Sequence, residues 1–401
     1  MKLLIAIAII SFISILGSRL TFLDRRIPMG FQNILLTGTE YIFLGIILGK
    51  MGLNILDTPT LQKIEPILLF GLCWIGFLYG LQFEVKLLQN LPRYYFTITA
   101  IQAIITFLVV TISLFFILNI FLKENNVLIF TAAITLGSAA CCTAQSAIAI
   151  AGQTYKLKNR GLLELLRYIS SVDGLYGLAF FAFSLCILPV KQVEVFFWIN
   201  SVKWIFTSLV IGIVPALILI ALSRFKFTQQ EFLLFLTGTI MFSAGIASTL
   251  DHSPLITGLI NGIIMANFCR HRVRALSTVA HAEKSIYIIL LLLIGANWNF
   301  RFDYSLVVLI FYFFVRVLGK LAGSFMATNI FKPQYYVPPY FGLGLISEGG
   351  LAIAIIFNFT LLHSHPIADS MVTIIVLSVL LSELAGPGCI SLLFREKRGN
   401  S

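Results

Sequence analysis

Long apolar segments follow one another along almost the whole chain, separated by short clusters of charged, Pro, Gly or Asn residues. Most segments approach or exceed the ~20 residues that a helix needs to cross a bilayer, and they lack the alternation of a β-barrel strand. The pattern predicts an all-α polytopic membrane protein with about thirteen transmembrane helices. The predicted spans are roughly residues 3–20, 34–52, 62–84, 94–121, 127–152, 162–189, 197–223, 230–249, 254–268, 285–298, 304–329, 336–361 and 367–394.

The composition agrees with this pattern. Of the 401 residues, 59% are hydrophobic and 11% are charged, and the mean hydropathy is +0.97. A water-soluble globular protein has a charged share of about 25%, so that class is excluded. The net charge of +11 resides mainly in short loops between spans, where membrane topology explains it better than nucleic-acid binding. No small-residue cleavage site follows the first segment, which we interpret as a retained helix rather than a signal peptide.

Basic residues are distributed unequally between alternate loops. One side of the predicted membrane collects Arg19, Arg25, Arg26, Lys86, Arg93, Lys156, Lys158, Arg160, Arg224, Lys226, Arg270, Arg272, Arg274, Lys284, Lys332, Arg395, Lys397 and Arg398. The other side has Lys2, Lys50, Lys63, Lys123, Lys191 and Arg301, with Lys203 at the edge of a helix. Because positively charged short loops stay in the cytoplasm, we expect the N-terminus outside and the C-terminus inside.

Thirteen spans divide into two units of six with one linker helix between them. Two six-helix units separated by a single crossing must have inverted orientations. We therefore expect inverted repeats at roughly residues 3–189 and 230–394 and a linker helix at roughly 197–223. The expected organisation is one membrane domain over residues 1–401, without a soluble regulatory domain.

The fifth and twelfth predicted helices contain small and hydroxyl residues at mid-membrane depth. The stretches are TLGSAACCTAQSAIAI at 135–150 and GLGLISEGGLAIAI at 342–355, the latter including Glu348, Gly349 and Gly350. Such residues are typical of discontinuous helices, whose broken backbone must be buried or line a wet cavity. The alternative is that the small residues only permit close helix packing.

Few ionisable residues lie within the predicted spans. Asp173 is near the centre of the sixth helix, and Arg316 and Lys320 are one turn apart in the eleventh. A charge at the bilayer centre costs roughly 2.5–3.5 kcal/mol on insertion scales, so such residues usually serve a pathway or pair with one another. One interpretation is that Asp173 alternately holds a proton and a dehydrated cation. The other is a structural ion pair between Asp173 and one of the two basic residues.

Other polar candidates have weaker support. Glu348 is interpreted as either a partner for the helix break or part of an ion path, and Glu383 as a structural residue paired with a basic one. Cys141 and Cys142 are interpreted as small apolar fillers, since the six cysteines lack metal-ligand spacing. No catalytic constellation or phosphate-binding glycine loop is recognisable, so we expect neither an enzyme nor a cofactor.

Several of these stretches, in this order, resemble the monovalent cation:proton antiporter superfamily, especially its KefC-like and NapA-like branch. FLYGLQFEVKLLQNLPR from Phe77 is similar to "FLAGLELDLKELRR", and DHSPLITGLINGIIMANF from Asp251 to "GLSPILGAFLAGLVLSN". CCTA at 141–144 resembles "SSTA", VDG at 172–174 resembles an "ND" or "DD" pair, SEGG at 347–350 resembles "SQGG", and SELAGP at 382–387 resembles "NELIGP".

The resemblance implies an inverted-repeat fold with a dimerisation domain and a mobile core that carries two crossed broken helices. It also implies a homodimer and alternating access by elevator-like movement. Asp173 takes the place of the ion-binding aspartate, and Thr143 that of the threonine at the helix break. Arg316 takes the place of the basic residue that faces the aspartate, with Lys320 as the alternative match.

The chain departs from the family pattern at Val172 and at Cys141 and Cys142, where the family has polar or hydroxyl residues. Hard oxygen ligands suit Na⁺ and K⁺, so the departures remove expected ligands. Replacement oxygens are available from nearby polar side chains. The predicted ion- and proton-binding residues are Asp173, Thr143, Ser138, Cys142, Ser146 and Ser171, with Gln145 and Ser170 as further oxygen donors.

The sequence thus predicts a transporter of the cell (inner) membrane that exchanges H⁺ for Na⁺ or K⁺ at Asp173. A single carboxylate predicts electroneutral one-for-one exchange. The expected partners are these cations, membrane lipid and a second copy of the chain, and no nucleic acid. The competing predictions are a gated monovalent-cation channel without proton coupling, and a non-transporting sensor or a carrier for another solute.

Overall fold

The computed structural model describes residues 2–19, 28–86, 92–154, 160–188, 197–223, 228–300, 303–331, 336–363 and 365–394. The long elements in this part of the chain are α-helices. One short 3-10 helix, Phe341–Leu345, precedes the helix that begins at Gly350. The α-helices are α1 (Lys2–Arg19), α2 (Met29–Thr37), α3 (Glu40–Leu48), α4 (Thr58–Gln82), α5 (Arg93–Phe121), α6 (Asn126–Cys141), α7 (Gln145–Thr154), α8 (Arg160–Ile187), α9 (Phe197–Leu222), α10 (Gln229–Thr249), α11 (Pro254–Phe268), α12 (Arg272–Asn297), α13 (Ser305–Ile330), α14 (Gly350–Leu362) and α15 (Pro366–Phe394).

The predicted all-α membrane architecture is confirmed. Within the described residues, nine spans are long and apolar enough to cross a bilayer, with α6 and α7 together forming one of them. The bent pair α2 and α3 makes a tenth. Three shorter apolar helices, Lys2–Ser18, Pro254–Phe268 and Gly350–Leu362, accompany them. The total of thirteen membrane crossings stays a prediction.

Two predicted spans differ from the observed helices. The second, expected to be continuous over 34–52, is divided into α2 and α3, which meet at 59°. Gly38 lies at the bend with a φ of 80°, a left-handed conformation that glycine adopts at little cost. The tenth, expected at 285–298, begins already at Arg272, because its polar first half buries Ala275 and Val279 against neighbouring helices.

One ion pair lies at each end of the helix bundle and joins two elements there. Lys2, at the start of α1, lies 3.1 Å from Asp57, which caps the start of α4. Glu84, just after α4, lies 2.6 Å from Arg272 at the start of α12. These pairs agree with the predicted alternation of helix direction.

Several of the basic residues from which we predict the orientation of the chain in the membrane lie outside the described residues. They are Arg25, Arg26, Lys156, Lys158, Lys191, Arg224, Lys226, Arg301, Lys332, Arg395, Lys397 and Arg398.

The helices pack in two groups. The first group combines α1, α3, α4 and α9–α12, whereas the second combines α5–α8 and α13–α15 around the two interrupted helices. The bent pair connects them, since α3 packs on α12 of the first group and α2 packs on α15 and α7 of the second. Gly38 therefore lies between the two groups.

Small residues allow the closest helix contacts. In the first group the backbones of α4 and α11 are in contact where the two helices cross. A Cβ on Gly258 would lie 2.0 Å from the Cys73 carbonyl oxygen there. A Cβ on Gly76 would lie 2.0 Å from the Leu255 carbonyl oxygen in the same crossing. Close backbone approach through glycine is a common source of packing energy between membrane helices.

Candidate functional site

The first interruption separates α6 from α7. Helix α6 ends at Cys141, and Cys142 adopts an extended conformation with φ −69° and ψ 138°. Thr143 and Ala144 continue the non-helical segment, and α7 begins at Gln145. The break leaves carbonyl groups at the end of α6 and N–H groups at the start of α7 without intrahelical partners, so both ends need other ligands.

The second interruption lies between the 3-10 helix and α14. Gly349 is extended, with φ −121° and ψ −176°, and caps α14 without a side-chain hydrogen bond. The two interruptions touch, because the Ala144 N–H donates to the Ser347 carbonyl oxygen at 2.8 Å. A Cβ on Gly350 would lie 2.4 Å from Cε1 of Tyr287 on α12, so this start of α14 needs glycine. Both predicted helix breaks are thus present and in contact.

Asp173 of α8 lies at this junction and is completely buried. Its Oδ1 accepts from the Thr143 N–H at 3.3 Å, and its Oδ2 accepts from the Thr143 hydroxyl. Lys320 of α13 contributes its Nζ, 3.3 Å from Oδ2. A carboxylate that is removed from water needs such donors or a counter-charge, and Asp173 has both.

Lys320 occupies the position beside Asp173 that the family resemblance assigned to Arg316. Its ammonium is fully buried and donates to the Cys141 carbonyl oxygen at 2.6 Å and to the Thr143 hydroxyl at 3.0 Å as well as to Asp173. All three donors of the ammonium are therefore used. Thr143 accepts from Lys320 and donates to Asp173, so one hydroxyl joins both charged groups.

Arg316, one turn earlier on α13, ties together both helix breaks. Its guanidinium donates to the carbonyl oxygens of Ala140 at 3.1 Å and of Cys142 at 2.8 Å, at the end of α6, and to that of Ile346 in the second break. The C-terminal end of a helix carries partial negative charge, which a cation stabilises. Lys320 and Arg316 together satisfy the carbonyl groups that the first interruption leaves open.

Glu348 is the counter-charge of Arg316. Its Oε1 lies 3.6 Å from Nε of Arg316 and accepts from the Tyr312 hydroxyl at 2.7 Å. Its Oε2 accepts from Ser378 of α15 at 2.8 Å, and its own N–H donates to Ser382 at 2.9 Å. Every partner is buried, and this arrangement fixes Glu348 in the break rather than in the cavity described below.

A cavity of about 340 Å³ reaches the site from the end of the molecule where α4 ends and α12 begins. It is lined by the predicted residues Cys142, Thr143, Ser146, Gly349 and Gly350. The other lining residues come from α2, α4, α7 and α12, and include Thr37, Tyr79, Gln82, Gln145, Glu283, Lys284 and Tyr287. Asp173 does not line this cavity, so Thr143 separates the buried carboxylate from it.

The structure shows no hydrogen bond between Asp173 and the other predicted binding residues, which are Ser138, Cys142, Ser146 and Ser171, among the described contacts. Ser138 donates to the Thr135 carbonyl oxygen at 2.6 Å, and the Cys142 thiol donates to the Ser138 carbonyl oxygen at 3.7 Å. Ser171 donates to the Arg167 carbonyl oxygen at 2.8 Å. In the described part of the chain the buried Ser146 hydroxyl has no partner. Thr143 is thus the predicted hydroxyl that the structure brings to Asp173.

Sequence reasoning missed the polar residues that hold Glu348. Tyr312 precedes Arg316 by four residues and Lys320 by eight, which places the three side chains on one face of α13. Ser378 and Ser382 have the same four-residue spacing on α15. A search of the apolar spans for polar residues spaced four apart would have found Tyr312 with Arg316, and Ser378 with Ser382.

A family comparison decides the class of protein. The profile described as "Sodium/hydrogen exchanger, transmembrane" matches residues 7–396. The chain belongs to the sodium/hydrogen exchanger family. It is therefore a multi-pass membrane protein of a cation/proton antiporter family, a class of transporters rather than enzymes, with Na⁺ and H⁺ as the family's substrates. No curated protein matches the chain significantly in sequence.

Solved structures show that the exchanger fold extends over the whole chain. One is that of the sodium proton antiporter MjNhaP1 from Methanocaldococcus jannaschii at pH 8, with 17% identity and a TM-score of 0.68, covering 99% of this chain and 100% of the other. An electron-microscopy structure of the same antiporter gives 15% identity, a TM-score of 0.66 and full coverage of both chains. At these identities the likeness shows the fold alone.

Proposed function

We propose that the protein exchanges protons for Na⁺ or K⁺ across the membrane by alternating access, with Asp173 as the shared binding site. The observation that carries the proposal is a fully buried carboxylate held at the contact of two interrupted helices by Thr143 and Lys320. Burial from water favours the protonated carboxyl, whereas an arriving cation favours the carboxylate. The two ligands then compete for one group, and that competition couples their movements.

The charge on Lys320 determines the stoichiometry. With Asp173 ionised and Lys320 protonated, the empty site has no net charge. Either ligand on Asp173 then gives the site the same single positive charge, provided that Lys320 keeps its proton. The two loaded forms are electrically equivalent, so one-for-one exchange moves no net charge. Solid-supported membrane recordings should show no steady transport current after a Na⁺ or K⁺ jump; a sustained current would contradict this stoichiometry.

The cavity beside Thr143 provides access from one side. Because its end of the molecule carries Arg272 and the basic loops, we assign that end to the cytoplasm. A cation entering there meets the Thr143 hydroxyl before Asp173. We further propose a homodimer in the cell (inner) membrane, with inverted repeats at roughly residues 3–189 and 230–394 and the N-terminus outside.

Proton efflux from proteoliposomes tests the proposal directly. Na⁺, K⁺ and Li⁺ are added in turn to vesicles that contain the wild type or Asp173→Asn. We expect cation-dependent proton movement in the wild type and its loss in the variant. Asp251→Asn is the matched control, since Asp251 lies in a turn with a φ of 55° that Asn also tolerates. Undiminished coupled exchange in Asp173→Asn would exclude the proposed site, and cation flux without proton movement would indicate a channel.

A further inference from the structure

A second buried carboxyl group lies at the contact between the two helix groups. Glu383 of α15 is completely buried, and its Oε2 accepts from the Thr39 hydroxyl at 2.6 Å and from the Thr37 hydroxyl at 3.0 Å. Those two threonines flank Gly38 at the bend between α2 and α3. Glu383 thus binds the bend that connects the two groups. The basic partner predicted for Glu383 is not present among the described residues.

Two acceptor atoms at this contact lack donors within the described part of the chain. They are Oε1 of Glu383 and Oδ1 of Asn33, and both side chains are fully buried. Asn33 is held in place by its amide, which donates to the Glu383 carbonyl oxygen at 3.2 Å and to the Ser347 hydroxyl at 3.3 Å. A buried acceptor without a donor is costly, so each unmatched oxygen needs a hydrogen, either from a proton on the carboxyl group or from a bound donor such as water.

The surrounding charges strengthen this requirement. The helices α2, α7 and α14 and the 3-10 helix contribute no ionisable side chain to the contact. The carboxylates that act on Glu383 are Glu40 of α3 and Glu348 of the second break. On α13, Arg316 is engaged with Glu348, and Lys320 with Asp173. Lys284 of α12 lines the same cavity as Thr37 and interacts with Glu40. Among the described residues, an ionised Glu383 would therefore be a buried charge without an ion-pair partner, which is strongly unfavourable.

We propose that Glu383 is a second proton-binding site, in which Oε1 carries the proton while Oε2 accepts from Thr37 and Thr39. A proton fits better than a metal ion, because the Thr39 hydroxyl already donates to Oε2 at 2.6 Å and so occupies one of the oxygen lone pairs that a metal would need. The Thr37 hydroxyl lies 3.0 Å from both Oε2 and the Ile34 carbonyl oxygen, and its single hydrogen serves one of the two. Thr37 also lines the 340 Å³ cavity, so one hydroxyl separates Glu383 from the compartment that supplies the proton.

The proton site at Glu383 does not depend on the transport cycle proposed for Asp173. The experiment distinguishes the two carboxyl groups because Asp173 is replaced in every variant tested. Infrared spectra of Asp173→Asn protein at neutral pH should contain the C=O stretching band of a buried carboxylic acid. The band should disappear in Asp173→Asn/Glu383→Gln and persist in Asp173→Asn/Glu164→Gln, where Glu164 is an exposed side chain on α8. A band that survives Glu383→Gln, or that is absent from Asp173→Asn, would overturn the proposal.

A second variant keeps the test valid if Glu383→Gln fails to fold. Thr39→Val in the Asp173→Asn background removes the shorter hydrogen bond to Oε2 and so disfavours the ionised carboxyl group. The pH at which the infrared band disappears should then rise by about one unit. An unchanged titration would contradict a proton on Glu383. Dependence of the band on Na⁺ or K⁺ concentration, instead of on pH, would identify a metal-ion site and also overturn the assignment.

Thermal unfolding supplies an independent measurement. If the folded protein holds a proton at Glu383 that the unfolded chain releases, unfolding releases that proton and stability falls as pH rises. The melting temperature of the wild type should therefore decrease more steeply than that of Glu383→Gln over about pH 6–9. Parallel melting curves for the two proteins would show that Glu383 takes up no proton on folding.

Discussion

Lys320 of α13 and Asp173 of α8 meet in the interior as an ion pair, with 3.3 Å between Nζ and Oδ2 and no exposure of either side chain. Both also bind Thr143, whose backbone forms the first helix break. A cation that binds Asp173 must therefore enter beside a resident ammonium group. If Asp173 binds the transported cation as proposed, Lys320 takes part in the binding equilibrium, because its ammonium group competes with that cation for the same oxygen.

Lys320→Met should destabilise the protein. The substitution leaves Asp173 buried without a counter-charge, and breaking one side of a buried pair costs about 3–5 kcal/mol. Thermal unfolding of the purified protein measures the loss. The double variant Asp173→Asn/Lys320→Met should recover much of the stability, since neither charge then remains. Equal stability of Lys320→Met and the wild type would mean that the ion pair is not formed.

Thr143→Val should weaken cation binding with little effect on the fold. Valine retains the shape of threonine but removes the hydroxyl that joins Asp173 and Lys320. Hydrogen bonds to charged groups contribute about 1.5–3 kcal/mol, so the half-saturating cation concentration should rise about 10- to 100-fold. Transport measured over a range of Na⁺ or K⁺ concentrations gives this value.

Thr135→Val is the matched control for Thr143→Val. Thr135 is on α6 and is also fully buried, but its hydroxyl donates to the Thr131 carbonyl oxygen at 2.8 Å and lies 3.1 Å from Ser184. Its substitution should leave the cation dependence unchanged. A similar loss of affinity in both variants would indicate a general effect of removing a buried hydroxyl.

Arg316→Ala should lower stability by about 3–5 kcal/mol, because Glu348 and the carbonyl groups of both helix breaks lose their donor. Arg316→Lys should recover only part of this, since an ammonium lacks the planar fork that reaches several acceptors. The melting temperatures should follow the order wild type, lysine variant, alanine variant. Glu348→Gln should reduce the cost of Arg316→Ala; additive effects of the two substitutions would contradict their pairing.

Gly258→Ala should destabilise the crossing of α4 and α11. The added Cβ would meet the Cys73 carbonyl oxygen at 2.0 Å, and overpacking of this kind costs about 1–3 kcal/mol. Gly238→Ala on α10 is the control, because its Cβ would have nothing within 4 Å. The melting temperature should fall for Gly258→Ala only. A rise of the melting temperature in both variants would mean that the higher helix propensity of alanine outweighs the clash at the crossing.

The chemistry of the site was largely predictable from its residue types. Inserting a lone carboxylate into the membrane within an apolar helix costs free energy, so Asp173 could be identified as a candidate site residue without knowledge of its neighbours in the fold. The two interruptions were predictable because small and hydroxyl residues at mid-membrane depth form weak helix interiors. The bend at Gly38 was not predicted, since Thr37-Gly38-Thr39 lies in a strongly apolar segment that also fits a straight span.

The amino-acid sequence was sufficient to predict which segments are apolar enough to enter the membrane, where they are interrupted and which few charges they carry, because these properties depend on neighbouring residues along the chain. The pairing of Lys320 with Asp173 and of Arg316 with Glu348, and the hydrogen bonds from Thr37 and Thr39 to Glu383, became known from the packed helices alone. Arg316 and Lys320 are one turn apart on the same face of α13, so their order in the sequence is compatible with either partner. The choice depends on how deeply α13 crosses the two broken helices, which is fixed by long-range packing.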